Sequence, residues 1–339
     1  MTAPDWWIYR GTGRPLLDAR LADVLPAPPS WRTFDGGPLQ PFPPLEEKEN
    51  QRRLGVVGHA VARVPGRAEV DMVNAALLLR RPILVTGRPG TGKSSLAYRI
   101  SRELRLGRVL RWSVTSRTML RAGLYDYDAI GRAQASVAGH QAIGDFVQLG
   151  PLGTALLPYE LPRVLLIDEL DKSDIDLPND LLHVFEDGEF SVPELVRVKS
   201  RTPEVTVFTD DPDRTAVVVD GRIRCRAFPV VVITSNGERQ FPPAFLRRCL
   251  HLEMPAPDHN ELATMVAAHF VEPTEPAHSE PAQTELIRAF VARSQERGGL
   301  ATDQLLNAVF LATSGAYAAD SRWPQLLDAI WHELSVGRE

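Results

Sequence analysis

The stretch "GRPGTGKSS" runs from Gly87 to Ser95. Gly87, Gly92, Lys93 and Ser94 fit the spacing G-x-x-x-x-G-K-[ST]. Glycines at that spacing let backbone amides turn inward around phosphate oxygens, and a helix starting directly afterwards adds its positive end. In such a loop Lys93 reaches the β- and γ-phosphates and the Ser94 hydroxyl ligates Mg2+. Arg88, Pro89, Gly90, Thr91 and Ser95 complete the candidate cradle. A second group lies downstream in "LLIDEL", where an aliphatic run ends in Asp168 and Glu169. An ionised carboxylate beside a core is unfavourable unless it has a partner. Next to a phosphate loop it has one. Asp168 would hold the Mg2+ through water, and Glu169 would orient and deprotonate a water attacking the γ-phosphate. Without the loop, the pair would read as acids favouring a helix N-terminus.

These residues need a frame. "PILVTG", "GRVLRWSVT", "PRVLLIDE" and "FPVVVITSN" read as strands, each a continuous apolar run of the kind found where helices cover both sheet faces. The strand ending in Asp168 is expected beside the strand that feeds the glycine-rich loop. Leu96, Ala97, Ile100 and Leu104 repeat at helical spacing after the loop, and "AEVDMVNAALLLRR" precedes the first strand as a helix. "VTVFTDDPDRTAVVVDGRIRCRAFP" carries turn signals at Asp211-Pro212 and Asp220-Gly221, which predict a β-hairpin insertion. After Pro257 the pattern becomes helical. Its stripes are Leu262, Met265, Val266, Phe270; then Leu286, Ile287, Phe290, Val291; then Leu305, Leu306, Val309, Phe310, with "VEPTEPAHSEPAQ" as a polar loop between the first two. The expected fold is α/β: a P-loop parallel sheet sandwiched by helices with a hairpin insertion, then a small all-α lid. The expected divisions are 1–47, 48–256 and 257–339.

Residues 1–47 are rich in proline and carry Trp6, Trp7 and Trp31. Proline at this density opposes long helices and central strands. Disordered tails are poor in aromatics, so this arm is expected to lie extended on a folded surface, its own or a neighbour's.

The chain has 339 residues, 44% hydrophobic, and a net charge of −5. That length suits a large domain with a smaller one. The acidic balance opposes a protein dominated by nucleic-acid phosphate contacts. Two cysteines, Cys225 and Cys249, have no metal-like spacing, and the eight histidines form no ligand cluster. No apolar run reaches the roughly 18 residues of a membrane span. "MTAPDWWIYRGTGRP" has no basic start followed by an apolar stretch, so a cytoplasmic location is expected.

Two further groups sit at element ends. Asn236 follows "VVVITS" and could hold an attacking water without adding charge, although Asn-Gly is also simply a good turn. "PPAFLRRC" carries Arg247 and Arg248, either solvated surface or a cation presented to a neighbour's γ-phosphate.

Taken in order, "GRPGTGKSS", "VLLIDEL", "VVVITSNGE" and "PPAFLRRC" resemble the AAA+ ATPases, and within them the MoxR-type branch. The resemblance spans roughly residues 50–335. It implies Walker A at Gly87–Ser95, Walker B at Asp168 and Glu169, sensor 1 at Asn236, and a trans-acting arginine finger at Arg248, with Arg247 the alternative. It implies ATP and Mg2+, a homo-oligomeric and commonly hexameric ring, and remodelling of a client protein, often with a von Willebrand A-domain partner. Members often carry a sensor 2 arginine at the start of a lid helix. The matching stretch here, "GGLATDQLLNAVF", has a cap at Thr302 but offers Asp303 and Gln304, so that sensor 2 is either missing or replaced by Arg293 or Arg297. "GLYDYDAIGR" (123–132) lies outside the common motifs, as a packed loop or a client-facing or intersubunit insertion.

Three functions compete. The first is an Mg2+-dependent ATPase that remodels a partner. The second is a slow-hydrolysing switch or scaffold controlling an effector, as in bacterial conflict systems. The third, a nucleic-acid or GTP-driven motor, is disfavoured by charge.

Overall fold

The computed structural model describes residues 4, 6–16, 20–56, 64–138, 142–270, 280–297, 300–313 and 322–331. Strands among them are, in chain order, β1 (Ile83–Thr86), β2 (Leu110–Ser113), β3 (Tyr125–Tyr127), β4 (Val147–Leu149), β5 (Val164–Asp168), β6 (Glu189–Ser191), β7 (Glu204–Phe208), β8 (Thr215–Val219), β9 (Arg222–Arg224), β10 (Val230–Ser235) and β11 (Leu250–Glu253).

The first sheet has the order β11-β1-β10-β5-β2, with every pairing parallel. β5 and β10 are buried throughout, as their unbroken aliphatic runs require. Alternate residues of β1 feed opposite cores. Ile83 and Val85 pack with Val73, Leu77, Leu96 and Ile100 of the Arg67–Leu79 and Ser95–Leu104 helices. Leu84 joins the other core with Leu181 and Phe185 of the Leu177–Asp187 helix. Leu96, Ile100 and Leu104 recur every four residues and are all buried, which fixes the face this helix turns to the sheet. Each such side chain contributes roughly 1.5–3 kcal/mol when fully buried.

Two expectations are corrected here. The Asp168 strand does not lie beside the loop strand, because β10 separates β5 from β1. Nor is β2 a continuous buried run: Leu110 and Trp112 are buried, whereas Arg111 and Ser113 are exposed. As the edge strand it has one open face, and alternation is what an open face imposes. β11 was not legible as a strand; "LHLE" is short and half polar.

The insertion is larger than a hairpin. β7 and β8 pair antiparallel, and β8 turns into β9 through Asp220 and Gly221, both at positive φ (54° and 68°). That is the backbone a two-residue hairpin turn demands, and Asp-Gly is suited to it. The hairpin then recruits other segments into a six-stranded sheet ordered β3-β4-β7-β8-β9-β6. "GLYDYDAIGR" therefore forms β3 and the start of the Ala129–Ala138 helix rather than a loop.

The N-terminal arm docks on its own chain. Asn74 accepts from the amides of Ile8 (2.7 Å) and Tyr9 (2.9 Å) and returns a hydrogen bond to the Tyr9 carbonyl. Trp7 donates to Asp71, and the fully buried Tyr9 donates to Glu69. Further on, the Arg32 guanidinium caps the carbonyls of Arg80 and Phe185 and lies 4.3 Å from the Phe228 ring centroid. Trp31 stays 78% exposed.

The C-terminal helices His259–His269, Glu280–Arg297, Thr302–Thr313 and Trp323–Ile330 surround a third core containing Leu262, Val266, Ile287, Phe290, Leu305 and Val309. Phe310 is corrected out of the expected stripe; it is 57% exposed. Of the expected polar loop, 271–279 lies outside the described residues, and 280–283 already belongs to the second of these helices. Among the described residues, no helix is long and apolar enough to cross a membrane.

Candidate functional site

β1 delivers the chain into the glycine-rich loop, and the Ser95–Leu104 helix carries it away. Gly87, Gly90 and Gly92 all hold positive φ (147°, 78° and 81°). At Gly90 a Cβ would lie 2.4 Å from the Ala301 Cα, so a lid residue closes directly over the loop. Thr302 donates to the Gly90 carbonyl at 3.0 Å, giving loop and lid a second contact. Gly90→Ala adds left-handed strain of about 1–2 kcal/mol and a steric clash. It is expected to weaken nucleotide binding roughly ten-fold by calorimetry and to speed hydrogen exchange at the Thr302–Thr313 helix. Unchanged affinity and exchange would show that the loop and lid do not need this contact.

Lys93 is buried, and its ammonium donates to the carbonyls of Gly87 (2.7 Å) and Arg88 (2.9 Å). Burial draws its pKa below the ordinary lysine value, while the charges of Asp171, Asp168 and Glu169 resist that shift.

Asp168, at the end of β5, gathers three side chains. Ser94 (2.7 Å) and Thr234 (2.9 Å) donate to Oδ1, and Arg111 donates to Oδ2 from Nη2 (2.7 Å) and Nε (3.2 Å). Burial alone would raise its pKa, but these hydrogen bonds and the Arg111 charge outweigh it and hold the carboxyl below its usual range. Asp168 is therefore an anion at neutral pH, with its Oδ1 2.7 Å from the Ser94 hydroxyl. Two hard oxygens at the edge of a phosphate cradle fit Mg2+, which takes one or two protein ligands and completes its shell with phosphate and water. Among the described residues, no cluster of three or more His, Cys, Asp or Glu could serve as a metal cage of its own.

Glu169 adopts a left-handed conformation, φ 63°, and its amide donates to Thr234 Oγ1 at 2.8 Å. A non-glycine residue there is strained by about 1–2 kcal/mol. The single hydroxyl of Thr234 thus ties both acids to β10. The Glu169 carboxylate pairs with Lys172 at 2.8 Å. Asn236 stands just past the end of β10. Its backbone amide donates to Asp171 Oδ2 (2.8 Å), as does that of Glu238 (3.1 Å), and Gly237 at φ 81° completes the Asn-Gly turn.

The arginines of "FLRRC" lie elsewhere. Arg81 donates to the carbonyls of both Arg247 and Arg248, and the Arg248 guanidinium contacts Glu186 at 3.4 Å. β11 begins next to them, and its Leu250 pairs with Ile83 at the start of β1, whereas the loop follows Thr86 at the other end. Four residues of strand, about 13 Å, separate the two ends. Of the proposed sensor 2 substitutes, Arg293 pairs with Asp328 and faces the Trp331 ring. The Arg297 side chain lies outside the description.

Beside the loop is a cavity of 680 Å3, lined by Thr91, Gly92 and Ser95, by Arg99 of the next helical turn, and by Met265 and Asp303 of the lid. Arg111, Thr234 and Asp171 were missed from the sequence. Thr234 and Asp171 lie two residues from Asn236 and Glu169 respectively, so proximity to a predicted site was the available signal. Arg111 gave none beyond being an arginine within a largely apolar strand.

A parallel sheet with a glycine-rich loop after β1 and a carboxylate at the end of β5 defines the P-loop nucleotide-binding fold. Residues 82–249 match the family model described as AAA domain (dynein-related subfamily), and residues 44–118 match the TIP49 P-loop domain. Over residues 82–249 the chain is thus similar to an AAA domain. RuvB-like helicase 1 of Gibberella zeae (strain ATCC MYA-4620 / CBS 123657 / FGSC 9075 / NRRL 31084 / PH-1) is 43% identical over 54 residues, 16% of this chain and 12% of that protein. A crystal structure of NtrX from Brucella abortus overlays with a TM-score of 0.43 at 16% identity, covering 81% of this chain and 54% of that one. Its ATP complex gives 0.40 at 14% identity, covering 81% and 56%. The chain therefore spans about half of NtrX and a small part of the helicase.

Proposed function

We propose that the protein is an Mg2+-dependent ATPase of the MoxR-like kind, which assembles as a ring and remodels a client protein. The observation that carries this reading is the convergence of Lys93, Ser94, Asp168, Glu169 and Asn236 on one end of the first sheet, around one cradle. Amides and Lys93 would hold the β- and γ-phosphates, and Ser94 and Asp168 the Mg2+, which when bound supplies charge neutralisation between phosphates. Glu169 takes a proton from the attacking water, and Asn236 orients that water. A client with a von Willebrand A domain, and a cytoplasmic setting, belong to the same proposal.

Calorimetry tests it. Wild-type protein should bind MgATP, and Lys93→Ala should lose binding, since the cradle loses its ammonium. Near-normal affinity in that variant would remove the loop from the mechanism.

One observation favours a second reading, the slow nucleotide switch. Both acids are engaged within the chain, Asp168 by Arg111 and Glu169 by Lys172. A partner that releases them would control turnover. Rates measured with and without a co-purified partner separate the readings: a switch stays slow alone, and a remodelling motor does not.

A further inference from the structure

The cavity beside the glycine-rich loop has a wall that the sheet does not supply. Thr12, Gly13 and Arg14 of the N-terminal arm line it together with Thr91, Gly92 and Ser95. We propose that this arm is part of the nucleotide site, with Thr12–Arg14 and Arg99 enclosing the ribose and base while the loop holds the phosphates. The inference rests on the nucleotide reading above and adds a binding element from outside the AAA domain.

The wall is built, not incidental. Glu103, fully buried on the Ser95–Leu104 helix, accepts from the amides of Arg10 (2.5 Å), Gly11 (3.2 Å) and Gly13 (3.1 Å) and from the Thr12 hydroxyl (3.3 Å). Burying a carboxylate is unfavourable, and four donors converging on it offset that. They also fix the arm to the same helix that starts at the loop. Gly11 and Gly13 take φ of 71° and 68°, and a Cβ on Gly11 would lie 2.6 Å from the Pro65 Cβ. The "GTG" turn is therefore closed by glycine's freedom, as the phosphate loop is.

Arg99 is the second observation. It lies one helical turn, about 6 Å, beyond Ser95 and lines the same cavity. It is 9% exposed, yet its Nε and Nη2 have no hydrogen-bond acceptor. Its nearest anion, Glu69 at 3.5 Å, also accepts the Tyr9 hydroxyl at 2.9 Å. A buried donor without an acceptor is unfavourable, and a ligand in the cavity that Arg99 lines would supply one once the side chain turns towards it. Purine ring nitrogens and ribose hydroxyls provide such acceptors. The volume of 680 Å3 is that of a small-molecule site and exceeds what phosphates alone would fill. Tyr9, Glu69 and Arg99 then link the docked arm to the bound base.

Hydrogen exchange on the full chain tests this with three probes: MgATP, MgADP and Mg2+ with inorganic tripolyphosphate. ATP and ADP are expected to slow exchange about ten-fold in peptides covering 6–16 as well as 87–95. Tripolyphosphate should slow only 87–95. Protection of 87–95 by ATP with no change at 6–16 would overturn the arm's role and leave the nucleotide site standing. Equal protection of 6–16 by tripolyphosphate would overturn it too, because the arm would then be sensing the phosphates. No protection of 87–95 by any probe would reject the nucleotide reading and this inference with it. A second arm uses Glu103→Gln, which removes the anion that gathers the turn. ATP affinity should fall about ten-fold while tripolyphosphate affinity holds; equal losses would mean general loosening of the helix and would reject the proposal.

Discussion

Arg248→Ala protein, assayed alone, is expected to hydrolyse ATP about 10³- to 10⁵-fold more slowly than wild type, and to regain activity when mixed with equally inactive Lys93→Ala protein. The reason is positional. Lys93, Asp168 and Glu169 stand where the strands of the first sheet end, whereas Arg248 stands where β11 begins. A rigid domain cannot bring this arginine to its own cradle, but a neighbour in a ring can. The transition state spreads charge over the phosphoryl oxygens, and a guanidinium held there stabilises it. Arg293 is committed to Asp328, so dependence on the neighbour should be strong. Mixed assemblies contain some interfaces with an intact cradle facing an intact arginine. Specific activity should also climb with protein concentration as assembly proceeds. Flat specific activity, or no rescue in assemblies verified by mass, would move the role to Arg247 or favour the slow switch.

Glu169→Gln should bind MgATP near wild-type affinity and lose turnover by about 10²- to 10⁴-fold, the usual contribution of a positioned general base. The amide keeps the size of the carboxylate and its strained backbone, held by Thr234, but cannot accept a proton at neutral pH. The variant should also trap assemblies with their clients bound. Wild-type turnover would show that another group activates the water.

The loop, the two acids, Asn236 and the strand–helix frame around them were legible in the sequence because each depends on local chemistry: glycines for turns, aliphatic runs for buried strands, a hydroxyl or carboxylate at a strand end. What stayed hidden depends on long-range pairing. Nothing local says that β10 inserts between β1 and β5. Arg111 meets Asp168 only because β2 and β5 pair with Ser113 opposite Asp168. "LHLE" becomes a strand because an edge beside β1 is available. The arm docks as expected, but through Trp7 and Tyr9 while Trp6 and Trp31 stay exposed, and nothing local said that Glu103, 90 or more residues away, would gather its "GTG" turn.

The second sheet has a consequence for how the protein is made. β4 joins β7 through the single parallel pairing of Gln148 with Phe208, while β5, which lies between them in the chain, belongs to the other sheet. A ribosome adding roughly 5–20 residues per second needs about 3–11 s to cover the 55 residues from Leu149 to Glu204. During that interval the antiparallel β3–β4 pair has an open edge and no partner, the condition in which strands pair with other chains. The segment's vulnerable moment comes during translation, before the finished molecule ever meets a nucleotide.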